Sequence, residues 1–204
     1  MRIVLIDVNL KLCRKWRERF EGYESVEVRE GNLLENHCGD ILVTPGNCFG
    51  IMDGGFDHCV KEYFDAGGWN AGDDIEERVR RHIFEEYFGE QPVGTSFLVP
   101  TCRGHRVRFL AYTPTMRIPK RIDAEAVYDS TRAALIACSK LDAIDDPIVM
   151  IPGMGTGYGC VGSKVAAEMM GAAIDSIFRA PLYGLDWDYG YAVEKRIKGI
   201  KTFS

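Results

Sequence analysis

The chain has 204 residues, 46% of them hydrophobic and 27% charged, which suits one α/β domain with a sizeable core. Its net charge of −5 argues against a generic polyanion binder, because no surplus of Lys and Arg is left to neutralise phosphates. A small phosphorylated ligand stays open, since backbone N–H groups and helix N-termini hold phosphate without net positive charge. Seven scattered cysteines, an odd number, read as reduced thiols rather than a disulfide scaffold. The opening MRIVLIDVNLKLCRKW has no small-residue cleavage site, and no run approaches the ~18 apolar residues of a membrane span. A soluble cytoplasmic protein is expected.

Residues 2–8 (RIVLIDV) form a short β-branched apolar run, hence a buried strand. Leu10, Cys13, Trp16 and Phe20 follow at helical spacing, and residues 26–28 read as a strand. This β-α-β opening favours parallel pairing. Residues 40–44 (DILVT) are a third strand, ended by Pro45-Gly46, and residues 50–55 are a loop before a helix starting near Phe56. Ile75, Val79, Ile83 and Tyr87 recur every four residues, so residues 74–88 are an amphipathic helix with an acidic first turn. Strands at 96–99 and 107–113 are joined by the charged turn Arg103-Gly104-His105-Arg106; a helix covers 124–141, with Val127, Leu135, Cys138 and Leu141 on one side. The apolar strand at 148–151 runs into the loop 152–159, and a helix follows from Val161 to about Phe178. The mixed tail beyond residue 180 carries no clear pattern. Neither a repeat nor a linker divides the chain, so a single domain is expected.

Two segments share one pattern, an apolar strand running into a glycine-rich loop and then a helix. The first joins Ile41-Leu42-Val43 to residues 50–55; the second joins residues 148–151 to Gly153-Met154-Gly155-Thr156-Gly157-Tyr158-Gly159. In an open α/β sheet, ligands sit beyond the carboxyl ends of the strands, where both loops would lie. Glycine allows positive φ and lets the backbone approach a phosphate; successive N–H groups then form an anion nest backed by a helix dipole. The plain alternative is that the glycines only make tight strand–helix turns. Two familiar phosphate loops fail on detail. Gly162-Ser163-Lys164 has the wrong order for a Walker A loop, and the turn after Val8, Asn9-Leu10-Lys11, has no glycine for a Rossmann fingerprint.

These residues resemble the macro-domain family. Asp40-Ile41-Leu42-Val43-Thr44-Pro45-Gly46-Asn47 is similar to the segment reading roughly D-x-I-V-N-A-A-N, and Gly54-Gly55-Phe56-Asp57 to the end of a G-G-G-V-D run. Residues 152–159 resemble the second loop, P-x-x-x-T-G-x-Y-G, one residue shorter; Gly31-Asn32-Leu33-Leu34 resembles the early G-D-I motif. Ala111 to Pro119 (AYTPTMRIP) looks like a feature of a bacterial and phage branch. The resemblance spans residues 26–180. It sets residues 1–25 apart as an N-terminal βα extension and 181–204 as a C-terminal tail. It implies a three-layer α/β/α sandwich with a mixed, largely parallel central sheet.

The resemblance also implies roles. Asn32 stands where the family has an Asp that accepts from the adenine amino group. Asn47 would contact the distal ribose. Gly54, Gly55 and Phe56 would offer N–H groups to one phosphate of ADP-ribose, and Gly155, Thr156, Gly157 and Tyr158 would cradle the other, with Tyr158 packed on the distal ribose. Asp57, ten residues after Asn47, would position or activate water at the anomeric carbon. The expected function is ADP-ribose binding with hydrolysis of ADP-ribosyl linkages on a protein, nucleic acid or small-molecule carrier. The alternatives are a non-catalytic reader of ADP-ribose or a related nucleotide, and a phosphatase of ADP-ribose 1″-phosphate. No cofactor is implied.

Plainer roles compete at several positions. Asp57 in a first helical turn would stabilise the dipole by roughly 0.3–1 kcal/mol, and the same dipole would lower its pKa. Asn47 would hold the turn after Pro45-Gly46. Asp53 brings a carboxylate into the phosphate loop. Cys38, Cys48, His58 and Cys59 lack C-x-x-C or H-x-x-x-H spacing, so no metal is expected. Cys48 has no evident partner base for a nucleophile's role. Trp69 and Tyr63 read as core or lid residues, and residues 73–77 with Arg78, Arg80 and Arg81 as a solvated helix face.

Overall fold

A computed structural model describes residues 1–35, 38–66, 74–101, 106–179 and 186–201. Trp69, Asp73 and residues 103–105 of the charged turn lie outside them.

The strands are β1 (Arg2–Asp7), β2 (Val26–Glu30), β3 (Ile41–Asn47), β4 (Phe97–Pro100), β5 (Phe109–Met116) and β6 (Ile148–Ile151), and they form one sheet in the order β2-β1-β6-β3-β5-β4. All neighbours are parallel except β4 and β5. The opening strand, set apart in the sequence as an extension, is an interior strand flanked by β2 and β6.

The helices are α1 (Leu10–Arg19), α2 (Gly55–Asp65), α3 (Ile75–Tyr87), α4 (Glu125–Ser139), α5 (Ser163–Phe178) and α6 (Trp187–Lys201). The central strands are apolar on both faces because helices cover both. Side chains alternate with a period of two. Ile3 and Leu5, Ile41 and Val43, and Val149 and Ile151 join the core under α1, α4 and α5. Val4 and Ile6, Leu42 and Met150 join the core under α2 and α3. This is the expected α/β sandwich.

Two strand ends at the cleft differ from the sequence reading: β5 runs past residue 113 to Met116, and β3 is longer as well. β3 does not stop at Pro45-Gly46 but runs to Asn47, with Pro45 opposite Thr113 and a register shift between Gly46 and Asn47. β3 pairs with β6 only at Ile41 and Leu42. Beyond that its other edge is unpaired in the ladder, and there a proline's missing N–H costs nothing. The unassigned tail contributes α6, whose Ile197 and Ile200 are buried against the rest.

α6 is tied down through Asp175 of α5. That carboxylate is 7% exposed; it accepts from Arg19, Arg196 and, at 2.5 Å, the Tyr23 hydroxyl. Burial pushes its pKa up, but the Tyr23 and Arg196 hydrogen bonds and the Arg19 charge hold it below the usual carboxylate range. Its stabilisation is therefore full above an unfolded pKa of about 3.9 and lost as pH falls through the lower folded value. Asp175→Ala is expected to cost about 3 kcal/mol, since it takes from Arg19, 13% exposed, its nearer carboxylate, leaving Glu168 at 3.4 Å, and also unpairs Arg196 and the Tyr23 hydroxyl from it. The melting temperature should fall by roughly 6–12 °C at pH 7. A shift under about 1 °C in a thermal melt would show that water replaces the network.

Candidate functional site

β1, β6, β3 and β5 run parallel, so the loops after β3 and β6 emerge at the same end of the sheet. There they line one cleft of about 680 Å³. Asp7 and Val8 follow β1 at one side, and Thr115 and Met116 end β5 at the other.

The first loop is organised by Asn47. Its Oδ1 accepts from Phe49 N at 3.0 Å and Ile51 N at 3.3 Å, and its Nδ2 donates to Ile51 O at 2.6 Å. The oxygen's two lone pairs are thus used, and one N–H of the amide is left to reach the cleft. The Tyr112 hydroxyl donates to Asn47 O at 2.9 Å and accepts from Asn47 N at 3.1 Å. This pair of bonds pins the register shift that aims Asn47. Gly46 is glycine because a Cβ there would run into the Tyr112 ring.

The loop then leads into α2. Glu76, paired with Lys61, accepts from Met52 N at 3.1 Å and fastens the loop from the α3 side. Positive φ falls at Gly55 (φ 61), whereas Gly54 is extended (φ −155). Gly54 offers no side-chain cap to the first N–H groups of α2, and both Gly54 and Gly55 line the cleft. Phe56 lines the same wall. Asp53 also lines the cleft and is exposed to solvent.

Asp57 departs from the sequence expectation. It is 7% exposed, and Thr44 Oγ1 donates to its Oδ1 at 2.5 Å. Burial raises its pKa to about 7; the Thr44 bond opposes the rise and the Glu76 charge adds to it. The dipole of α2, expected to lower the pKa, is outweighed by desolvation. Asp57 still lines the cleft.

The second loop is built on a close approach. Asp7 Oδ2 accepts from Gly153 N at 3.0 Å, and Thr156 Oγ1 donates to Gly153 O at 3.0 Å. Gly155 has φ 70, and a Cβ there would come within 2.7 Å of Val127 Cγ2. Gly157 has open space around it. Tyr158, 60% exposed, reaches across to the first loop, where a Cβ on Gly55 would lie 3.3 Å from its ring. The two loops therefore touch through this tyrosine.

Asn32 is not brought into the cleft lining. It is exposed after β2, its Oδ1 accepting from Leu34 N and its Nδ2 donating to Glu35 at 3.0 Å. Cys48 is buried, its thiol pushed up mainly by burial. Sequence reasoning missed Asp7, Thr44 and Tyr112. Only an aspartate ending the first strand gave any hint, and nothing local linked Tyr112 to Asn47.

No known family profile matches this sequence. An uncharacterized protein of Aquifex aeolicus (strain VF5) is 34% identical over 146 residues, covering 71% of this chain and 78% of that protein. Among solved structures, the macrodomain of Mycobacterium tuberculosis DarG is similar with a TM-score of 0.58 and 17% identity, over 72% of this chain and 88% of that one. A mutant of the Oceanobacillus iheyensis macrodomain, solved with ADPR, gives a TM-score of 0.54 at 17% identity, over 80% of this chain and 87% of that one.

Proposed function

We propose, from the premise that this chain has the macrodomain fold and shares a family with the Aquifex aeolicus protein, that it binds ADP-ribose and hydrolyses ADP-ribosyl linkages. The observation that carries the reading is one cleft of about 680 Å³ lined by both glycine loops, with a buried carboxylate of pKa about 7 in its wall. The diphosphate spans the loops, meeting the N–H groups of Gly55 and Phe56 on one side and those of Gly155 to Tyr158 on the other. Neither set needs a lysine or arginine, in keeping with the charge of −5.

The distal ribose then lies at the β3 end, within reach of the remaining Asn47 N–H. Thr44 fixes one oxygen of Asp57 and leaves the other for a water. Near neutral pH, Asp57 takes a proton from that water as its oxygen bonds to the anomeric carbon. The bond to the carrier breaks, and the carrier leaves with the electron pair and acquires a proton. A pKa of about 7 matches a base to this task better than an ordinary carboxylate does. Ligand phosphate oxygens beside the ribose stabilise the positive charge that builds there.

One observation favours the reader as second reading: Asn47's side chain is largely spent on its own loop. Release assays on ADP-ribosylated acidic peptides and on ADP-ribosylated DNA separate the two. Free ADP-ribose from either carrier supports the hydrolase; tight binding of ADP-ribose with no release from either replaces it by the reader.

A further inference from the structure

β5 carries an extra residue where it reaches the cleft. Gly46 pairs with Pro114 and Asn47 with Met116, so Thr115 has no partner residue on β3. It has none on β4 either, whose pairing with β5 ends at Tyr112. A bulge of this kind frees one residue from the ladder and re-aims its side chain, which is why bulges gather beside sites. Here the freed residue stands beside the partner of Asn47 and lines the cleft.

Thr115 is 1% exposed, and its hydroxyl has no hydrogen-bond partner among the described residues. The other buried serine and threonine hydroxyls each have one. Thr44 donates to Asp57, Thr113 meets Ser96 at 2.7 Å, Ser130 donates to Pro114 O at 2.8 Å, and Thr131 donates to Val127 O at 2.6 Å. Trp16, Asp65 and Gln91 also carry a buried polar atom without a partner, but none of them lines the cleft. An unsatisfied buried hydroxyl costs free energy. In the wall of a ligand cleft, that cost is recovered when a ligand bonds it.

We infer that Thr115 completes the distal-sugar site: its hydroxyl pairs with one hydroxyl of the distal ribose, while the remaining Asn47 N–H takes the neighbouring one. The inference rests on the function proposed above, which lays the diphosphate along the two loops and the ribose beside Asn47. The chemistry matches at this place. A ribose hydroxyl donates and accepts, as a threonine hydroxyl does, whereas a phosphate oxygen only accepts. The Thr115 oxygen touches almost no solvent, and a rotation about χ1, which exchanges hydroxyl and methyl, turns it to the cleft. Thr115 is therefore a specificity residue: it favours a diphosphate that carries a second ribose over one that does not.

The test is calorimetric titration of wild type, Thr115→Val and Thr115→Ser with ADP-ribose and with ADP, alongside melting curves of the unliganded proteins. Thr115→Val should bind ADP-ribose roughly five- to tenfold more weakly and ADP within about twofold of wild type. Thr115→Ser keeps the hydroxyl and should hold ADP-ribose within about twofold. Unliganded Thr115→Val should melt no lower than wild type, because a methyl group replaces a hydroxyl that had no partner. Unchanged ADP-ribose affinity in Thr115→Val, an equal loss for ADP, or no recovery in Thr115→Ser would overturn the inference. A lower melting temperature with both ligands weakened would make Thr115 a packing residue and overturn it as well. A wild type that binds ADP as tightly as ADP-ribose would overturn the sugar site alone, whereas one that binds neither would overturn the function proposed above and this inference with it.

Discussion

Asp57→Ala is expected to slow release of ADP-ribose from a modified carrier by roughly ten- to a thousand-fold while leaving ADP-ribose affinity within a few-fold. The carboxylate acts on water rather than on the ligand, so its loss raises the barrier without removing a ground-state contact. Turnover in wild type should rise with pH through about 7, where Asp57 ionises, and that limb should vanish in Asp57→Asn. Stability carries the same signature with a fixed sign. A carboxylate whose folded pKa is raised stabilises the fold fully below its unfolded value and loses that contribution as pH climbs through the folded one. Asp57→Asn keeps an acceptor for Thr44 but removes the buried charge. It should melt roughly 4–8 °C higher than wild type at pH 8, for a gain on the order of 2 kcal/mol, and at nearly the same temperature at pH 4. Equal melting temperatures at pH 8 would mean that water reaches the carboxylate, and the raised pKa would go with it.

Gly155→Val should abolish ADP-ribose binding, by roughly a hundredfold or more, for two reasons that act together. The position has φ 70, which a β-branched residue adopts only under strain. The new Cβ would also press on Val127 Cγ2 at 2.7 Å and Ile122 Cδ1 at 2.9 Å, so the loop must move off its phosphate-binding shape. A loss of about 2–4 kcal/mol of stability is expected as well. Gly157→Ala separates the two effects. Its Cβ meets nothing within 4 Å, so it should melt like wild type while its methyl group narrows the cleft and weakens binding several-fold. Calorimetry on both variants checks this. Normal affinity in a folded Gly155→Val would mean that the second loop's glycines serve only the turn.

The two-loop geometry was legible in the sequence because it is written in local patterns. A short β-branched apolar run such as Ile41-Leu42-Val43, ended by Pro45-Gly46, reads as a strand covered on both faces, and parallel strands deliver their following loops to one end of the sheet. What stayed hidden depends on contacts between distant residues. Asp57 looked like a solvated carboxylate in a first helical turn. It is instead buried, hydrogen-bonded by Thr44 on β3 and acted on by the Glu76 charge on α3, 13 and 19 positions away. Tyr112 is 65 residues from the Asn47 backbone it brackets, and an aromatic residue in an apolar strand reads as core. Positive φ falls on Gly55 rather than Gly54, a choice that adjacent glycines leave open. α6 escaped detection because its face contributes only Ile197 and Ile200 to the buried surface, while Trp187 and Tyr191 stay exposed. Asp175, with its arginines, supplies much of what an apolar seam would otherwise provide.

The most direct test of the account is calorimetric titration of the wild-type protein with ADP-ribose, ADP and AMP under one buffer condition. Two loops built for two phosphates, with a ribose site beyond them, should give saturable binding in the order ADP-ribose, then ADP, then AMP, with ADP-ribose at least ~10-fold tighter than AMP. Absence of heat and of any thermal shift at millimolar ADP-ribose, with the protein folded, would contradict it.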